Sequence, residues 1–186
     1  MALSVIIIVL TIILDQVTKI IAQNNLKNGA DITAIPEILS FSYVENKGAA
    51  FGIFSNNRWV FMVFSTIAII AMLYFLATKK NLHTLLIVSL SMLVGGGIGN
   101  MIDRIARGYV VDFFKFLFVK FAVFNVADCF VTIGALMLAV YLLFYFDEEF
   151  ENSKKSLSES KESNIKEEYV SIDNSDFSKG EKETDE

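Results

Sequence analysis

Residues 110–128 read "VVDFFKFLFVKFAVFNVAD": two carboxylates, Asp112 and Asp128, frame a segment that is otherwise largely apolar. The meaning of that segment depends on the solvent around it. The 186-residue chain is 54% apolar, with 17 Phe but a single Pro, a single His and a single Cys. Its formal charge of −5 divides sharply along the sequence. Residues 147–186 hold 14 acids and 6 lysines, a net of −8, whereas residues 1–146 hold 7 acids and 10 Lys plus Arg, a net of +3. This is the pattern of a mildly basic, membrane-embedded body with a solvated acidic tail. It gives no basic, aromatic-interleaved surface for nucleic acid.

Working outward from 110–128, apolar runs long enough for a bilayer, about 20 residues of helix, lie on both sides. Four are expected, at about 2–22, 59–78, 84–102 and 125–146. The first has no positive n-region, contains Asp15 and Lys19, and precedes no small-residue cleavage site, so it is expected to be a retained helix rather than a cleaved signal. Four spans put both termini on one side of the membrane. The pair Lys79 and Lys80 in the short link between the second and third spans favours the cytoplasm for that side. The two longer connections, 23–58 and 110–124, then share the other face. They carry β-prone stretches such as "ILSFSYVEN" (38–46). The expected fold class is a membrane all-α core of four transmembrane helices with a small β-rich cap. Residues 1–150 form the embedded domain, and residues 151–186, rich in Ser, Glu, Lys and Asn, form a disordered tail.

Ionisable groups within spans cost roughly 2.5–3.5 kcal/mol each on insertion scales, so each one needs a reason. Asp15 and Lys19 lie four apart on one helix face, which fits a mutual ion pair as well as a functional role. "GGGIGN" (95–100) contains a GxxxG face, Gly95 with Gly99, suited to tight helix packing. Asn100, Asp103 and Arg104 gather at one end of that helix, where Asp103 and Arg104 can pair and Asn100 has no evident structural partner. Asp128 can be a first-turn helix carboxylate favoured by the dipole, and Asp112 a solvated loop acid. Both, however, lie where the third span ends and the fourth begins. There they can meet and share a proton, one activating water and the other polarising a carbonyl.

Counting narrows the chemistry. His83 falls on the opposite face, so neither a Ser-His-Asp arrangement nor a His-rich zinc site is available beside these acids. Cys129 stands alone and reads as a small buried hydrophobe. A Ser-Lys dyad survives counting, although no Ser lies near Lys19 in sequence. A small ion-coupled transporter, or a helix-packing adaptor with the tail as bait, would also use intramembrane acids and a glycine-rich helix.

Four ordered motifs then decide between these classes: "DQVTK" (15–19), "VENKGAAFG" (44–52), "GGGIGNMIDRIARGYVVDF" (95–113) and "FNVAD" (124–128). With them the chain resembles the lipoprotein signal peptidase family, the membrane aspartic proteases also called signal peptidase II. The resemblance runs from about residue 14 to 145. Ala122 departs from it, standing where a Pro is expected before "FN". It implies removal of signal peptides from diacylglyceryl-modified prolipoproteins, just before the lipidated cysteine, without cofactor or metal. It further implies an Asp112–Asp128 catalytic dyad, with Asn46, Asn100, Arg104 and Asn125 around it and Asp15 in a structural role. The implied setting is the bacterial cell membrane, with an extracytoplasmic β-cradle, both termini cytoplasmic and the dyad near the outer leaflet. The partners are prolipoprotein substrates and membrane lipids, and the enzyme is a monomer. The Phe-rich stretch between the acids either lines the substrate groove or anchors the chain at the interface.

Because residues 151–186 are polar and remote from every motif, deleting them is expected to leave cleavage of a lipidated prolipoprotein largely intact. Loss of most activity in a truncated chain that still inserts normally would overturn this reading.

Overall fold

The apolar N-terminal run folds as α1, Ala2–Leu26, and its burial is inverted relative to a water-soluble helix. The buried side chains are Ser4, Thr11, Asp15, Lys19, Ala22 and Leu26, a single stripe at near-heptad spacing. Val5, Ile6, Leu10, Ile13, Val17 and Ile21 face outward. Hydrocarbon outside favours such a helix, because lipid tails solvate Leu and Ile as well as a core would, and small or polar residues carry the contact. In this computed structural model, residues 1–48, 58–79 and 81–146 are described. The remaining elements in chain order are β1 (Ile32–Ile35), β2 (Leu39–Asn46), α2 (Arg58–Thr78), α3 (Thr84–Ala106), β3 (Val110–Phe116) and α4 (Val126–Phe144). The chain divides into a unit from Met1 to Ala139 and a second from Val140 to Glu186, the latter described only as far as residue 146. The acidic tail, Lys80 and residues 49–52 of the "VENKGAAFG" motif lie outside the described residues.

Among the described residues, α1, α3 and α4 are long and apolar enough to cross a membrane, while the apolar part of α2, Met62–Thr78, is shorter. The helix α3 is central, and its glycines explain how. A Cβ on Gly95 would sit 2.7 Å from Thr11 Cβ, and one on Gly99 would sit 2.5 Å from Asp15 Oδ2, so this face lies directly against α1. A Cβ on Gly96 would come 2.6 Å from the Ala127 carbonyl oxygen in α4. On the side of α2, a Cβ on Gly97 would lie 3.1 Å from Ile69 Cδ1.

At the end of α3 the Arg107 backbone N–H caps the Asp103 carbonyl at 2.8 Å, and Gly108, at φ 82°, turns the chain back into β3. A side chain at that φ would be strained. The sheet has order β1-β2-β3 and is antiparallel throughout, with Leu39 opposite Phe116, Val44 opposite Asp112 and Asn46 opposite Val110. Only 110–116 of the Phe- and Val-rich connection is strand: β2 begins at Leu39, opposite Phe116, and the Leu117 N–H reaches the Ile38 carbonyl at 3.0 Å before the chain leaves the sheet. The chain then loops out and returns through Phe124, whose carbonyl accepts from the Phe113 and Phe114 N–H groups at 3.0 and 2.8 Å. Phe41, Phe114, Phe124 and Phe116 follow one another as tilted ring pairs, at 5.7, 5.4 and 5.1 Å between neighbouring centroids. Phe41 and Phe114, with Tyr43 and Val126, pack against Ala22, Leu26 and Phe113 and seat the sheet on the end of α1.

Gly99→Ala should destabilise the fold by about 1–3 kcal/mol, the usual range for overpacking, because its methyl group would meet a fixed carboxylate. Gly97→Ala, which meets only the tip of Ile69, should cost less. Thermal unfolding of the two variants in detergent measures the difference.

Candidate active site

The site is built from the first turn of α4 upward. Asn125 precedes that helix; its Oδ1 accepts from the Asp128 N–H at 3.0 Å, and Asp128 Oδ2 accepts from the Asn125 N–H at 3.2 Å. This is a reciprocal capping box, so Asp128 is held by the requirements of a helix start. The remaining Asn125 group, Nδ2, donates to Asp112 Oδ1 at 2.6 Å and to Asn100 Oδ1 at 3.1 Å. Asn125 therefore touches both carboxylates at once. Asn100 Nδ2 completes Asp128 through its Oδ1 at 2.8 Å, and Asn46 Nδ2 completes Asp112 through its Oδ2 at 2.8 Å. The register explains Asn46: it lies two residues beyond Val44, the cross-strand partner of Asp112, on the same face of β2.

These donors are neutral amides and a backbone N–H; no lysine or arginine forms an ion pair with either acid among the described residues. Asp112 is only 2% exposed, and burial pushes its carboxyl up to about 6. The Asn46 hydrogen bond opposes that rise, the Asp128 charge adds to it, and the Asn125 bond and the Lys19 charge oppose it. Both acids open onto a cavity of about 550 Å³ that Asn46, Asn100 and Arg104 also line. Its other walls are mainly apolar, from Val110, Phe116, Phe121, Val123, Val131 and Ile133. Among the described residues, no three His, Cys, Asp or Glu side chains form a metal-binding cluster.

Below the cavity lies a second, sealed network. Lys19 is fully buried, and its Nζ donates to Asp15 Oδ2 at 2.9 Å, Asp103 Oδ2 at 3.0 Å and Asn100 Oδ1 at 2.8 Å. Gln16 Nε2 joins Asp15, Asp103 and the Gly99 carbonyl, and Asp15 Oδ1 accepts from the Ala127 N–H of α4 at 2.9 Å.

The expected site residues thus fall into two tiers. Asn46, Asn100, Arg104, Asp112 and Asp128 surround the cavity, Asn125 ties the acids together from beneath, and Asp15 sits in the sealed network. The expected Asp15–Lys19 pair is present. The expected Asp103–Arg104 pair is not: Asp103 is bound instead by Lys19 and Arg107 and accepts from the Val111 N–H at 3.1 Å. Adjacent helix residues diverge by about 100°, whereas Arg107, four residues on, shares the face of Asp103. Arg104 turns to the cavity and donates to the Asn100 carbonyl at 3.2 Å. Sequence reasoning missed the link from Lys19 to Asn100 and the part played by Gln16. The spacing within "DQVTK" reveals the local pair but not a partner 81 residues away.

A family model described as "Signal peptidase (SPase) II" matches residues 7–144. The chain belongs to the signal peptidase II family. The lipoprotein signal peptidase of Clostridioides difficile (strain 630) is 41% identical over 143 residues, covering 77% of this chain and 96% of the relative. That of Clostridium tetani (strain Massachusetts / E88) is 43% identical over 144 residues, covering 76% and 92%. Among solved structures, a bacterial membrane enzyme determined by the in meso method at 2.3 Å resolution superposes with a TM-score of 0.72 at 36% identity, covering 77% of this chain and 88% of that one. Another, at 1.9 Å resolution, gives 0.71 at 35% identity, covering 78% and 95%. The family match contains every residue of both tiers.

The raised Asp112 carboxyl fixes the sign of one pH effect. Between its ordinary value near 3.8 and about 6, the folded state holds a proton that the unfolded state has lost, so this group's contribution to stability falls as pH rises through that window. Asp112→Asn removes the titration. The melting temperature of wild type relative to this variant should therefore drop as pH goes from about 4 to about 6, and then level off.

Proposed function

We propose that the chain is a signal peptidase that cleaves lipid-modified prolipoproteins just before the diacylglyceryl-cysteine, with Asp112 and Asp128 as an aspartic catalytic dyad. The observation that carries this reading is Asn125, which bonds both carboxylates and so holds them at one place on the cavity. One proton is shared by the pair. The ionised carboxylate takes a proton from water as the water oxygen bonds to the scissile carbonyl carbon, while the protonated partner gives its proton to the carbonyl oxygen. The tetrahedral diol then collapses: its C–N bond breaks, the departing nitrogen takes a proton from the protonated acid, one diol hydroxyl gives its proton to the ionised acid as it becomes the new carbonyl, and the pair again holds one proton. Asn46, Asn100 and Asn125 orient the carboxylates, and Arg104 offers its remaining donors to the substrate backbone or to developing charge.

The apolar walls of the cavity suit an acyl chain and a hydrophobic signal segment. Leu117, Phe118, Val119 and Phe121, all exposed beyond β3, suit the membrane interface. In this reading the helices α1 to α4 are the four spans, residues 1–150 are the protease domain and residues 151–186 an appended tail. Both termini are cytoplasmic, the β-cradle and dyad lie at the outer leaflet of the cell membrane, and the enzyme works as a monomer among membrane lipids without cofactor. The links support this polarity: α2 and α3 are joined near Lys79, and the two connections carrying the sheet run together at the opposite end of the helices.

Asn matches Asp in size but cannot exchange the proton. Asp112→Asn and Asp128→Asn should each abolish cleavage of a lipidated prolipoprotein by purified, folded protein, with the double variant hardly worse than either single, because groups acting as one unit are non-additive. Clear residual turnover in a folded single variant would sink the dyad.

A further inference from the structure

An ammonium group has three N–H donors. Two of those on Lys19 go to carboxylates, which is what burying a cation requires. The third goes to a neutral amide, Asn100 Oδ1, at 2.8 Å. Charge balance does not ask for that third bond: Asp15 and Asp103 are already offset by Lys19 and Arg107. Its consequence is directional. With its oxygen facing Lys19 and Asn125 Nδ2, the Asn100 amide must present Nδ2 to Asp128 Oδ1. The flipped amide would aim two hydrogens at an ammonium and a second amide, and its oxygen lone pairs at a carboxylate, so every contact would become repulsive.

We propose that Lys19 is a positioning residue for the reaction: from within α1 it locks the Asn100 amide in the orientation that donates to Asp128, and it lends the acid pair a buried positive charge. This rests on the reading of Asp112 and Asp128 as the dyad. Lys19 touches no substrate, being sealed from the cavity. It is the fully buried cation of the network, and a buried charge acts over longer range than a solvated one. The charged and titratable groups that face the pair are Lys19 and Asp15 from α1, Asp103 and Arg104 from α3, the Cys129 thiol beside Asp128 on α4, and the two acids themselves, with β2 contributing only the neutral Asn46. Among these, Lys19 lowers the proton affinity of Asp112.

The test uses full-length protein in detergent, a lipidated prolipoprotein and two variants. Lys19→Met keeps the length and removes the charge. Lys19→Met/Asp15→Asn removes one charge of each sign, so that no excess buried carboxylate is left to unfold the chain. In whichever variant folds, kcat should fall about 10- to 100-fold with KM little changed, as a small misplacement of a reacting group does. The acid limb of the kcat profile should also move to higher pH by about half a unit or more, because a lost cation favours the protonated acid. A folded variant whose kcat and acid limb match wild type overturns the inference. So does a loss confined to the fraction of active molecules, or failure of both variants to fold, either of which leaves Lys19 with an assembly role alone. If instead Asp112→Asn and Asp128→Asn retain turnover, it is the dyad that fails, and the Lys19 variants are not needed to show it.

Discussion

An ammonium ion with no access to water has few acceptable surroundings, and Lys19 dictates most of this architecture. Three acceptors must converge on one Nζ from two helices, so α1 and α3 have to approach almost backbone to backbone. Gly95 and Gly99 permit that approach, since any side chain there would collide with Thr11 or Asp15. Once the helices are that close, Asn100 and Asp103 are fixed, and Asp103 in turn receives the first residues of β3 through the Val111 N–H. Asp112 follows one residue later. The position of a buried, cavity-lining acid in the sheet is therefore tied to the solvation of a buried cation on α1.

Much of the fold was legible because the membrane writes simple rules. Apolar length located the helices: the expected start at Thr84 is where α3 begins, and the expected limits of the second helix are within one residue of Arg58–Thr78. The alternating stretch 38–46 became β2 within one residue. Strand length after Val110 was less legible, because a Phe- and Val-rich run carries the same propensity whether or not a partner strand remains to pair with it, and β2 runs out at Leu39. For the site, the residues could be named from their motifs, but their bonding could not. Asp103 illustrates why. Neighbouring opposite charges suggest a pair, yet the helix sends Arg104 to the cavity and brings Arg107 round to Asp103. The contacts of Lys19 to Asn100 and of Asp15 to Ala127 span too much sequence for any local pattern to reveal.

Asp128 also shows that two readings of one residue need not compete. As a first-turn helix carboxylate it completes a capping box with Asn125, and that box holds its Oδ2 while leaving Oδ1 to Asn100. The structural role supplies the rigidity that the proposed chemical role requires: a carboxylate free to rotate could not hold its orientation toward Asp112.

The Asp15 carboxylate accepting from the Ala127 N–H joins α1 to the start of α4. Synthesis runs from N- to C-terminus, so Asp15, Lys19, Asn100 and Asp112 are all made before Asp128. Until α4 arrives, Asp15 Oδ1 lacks its partner, Asn125 has yet to bridge to Asp112, and the acid pair has one member. The arrival of α4 supplies all three at once. Assembly of the site is thereby completed only by α4, and a chain that stops before it holds just one of the two acids that face the cavity.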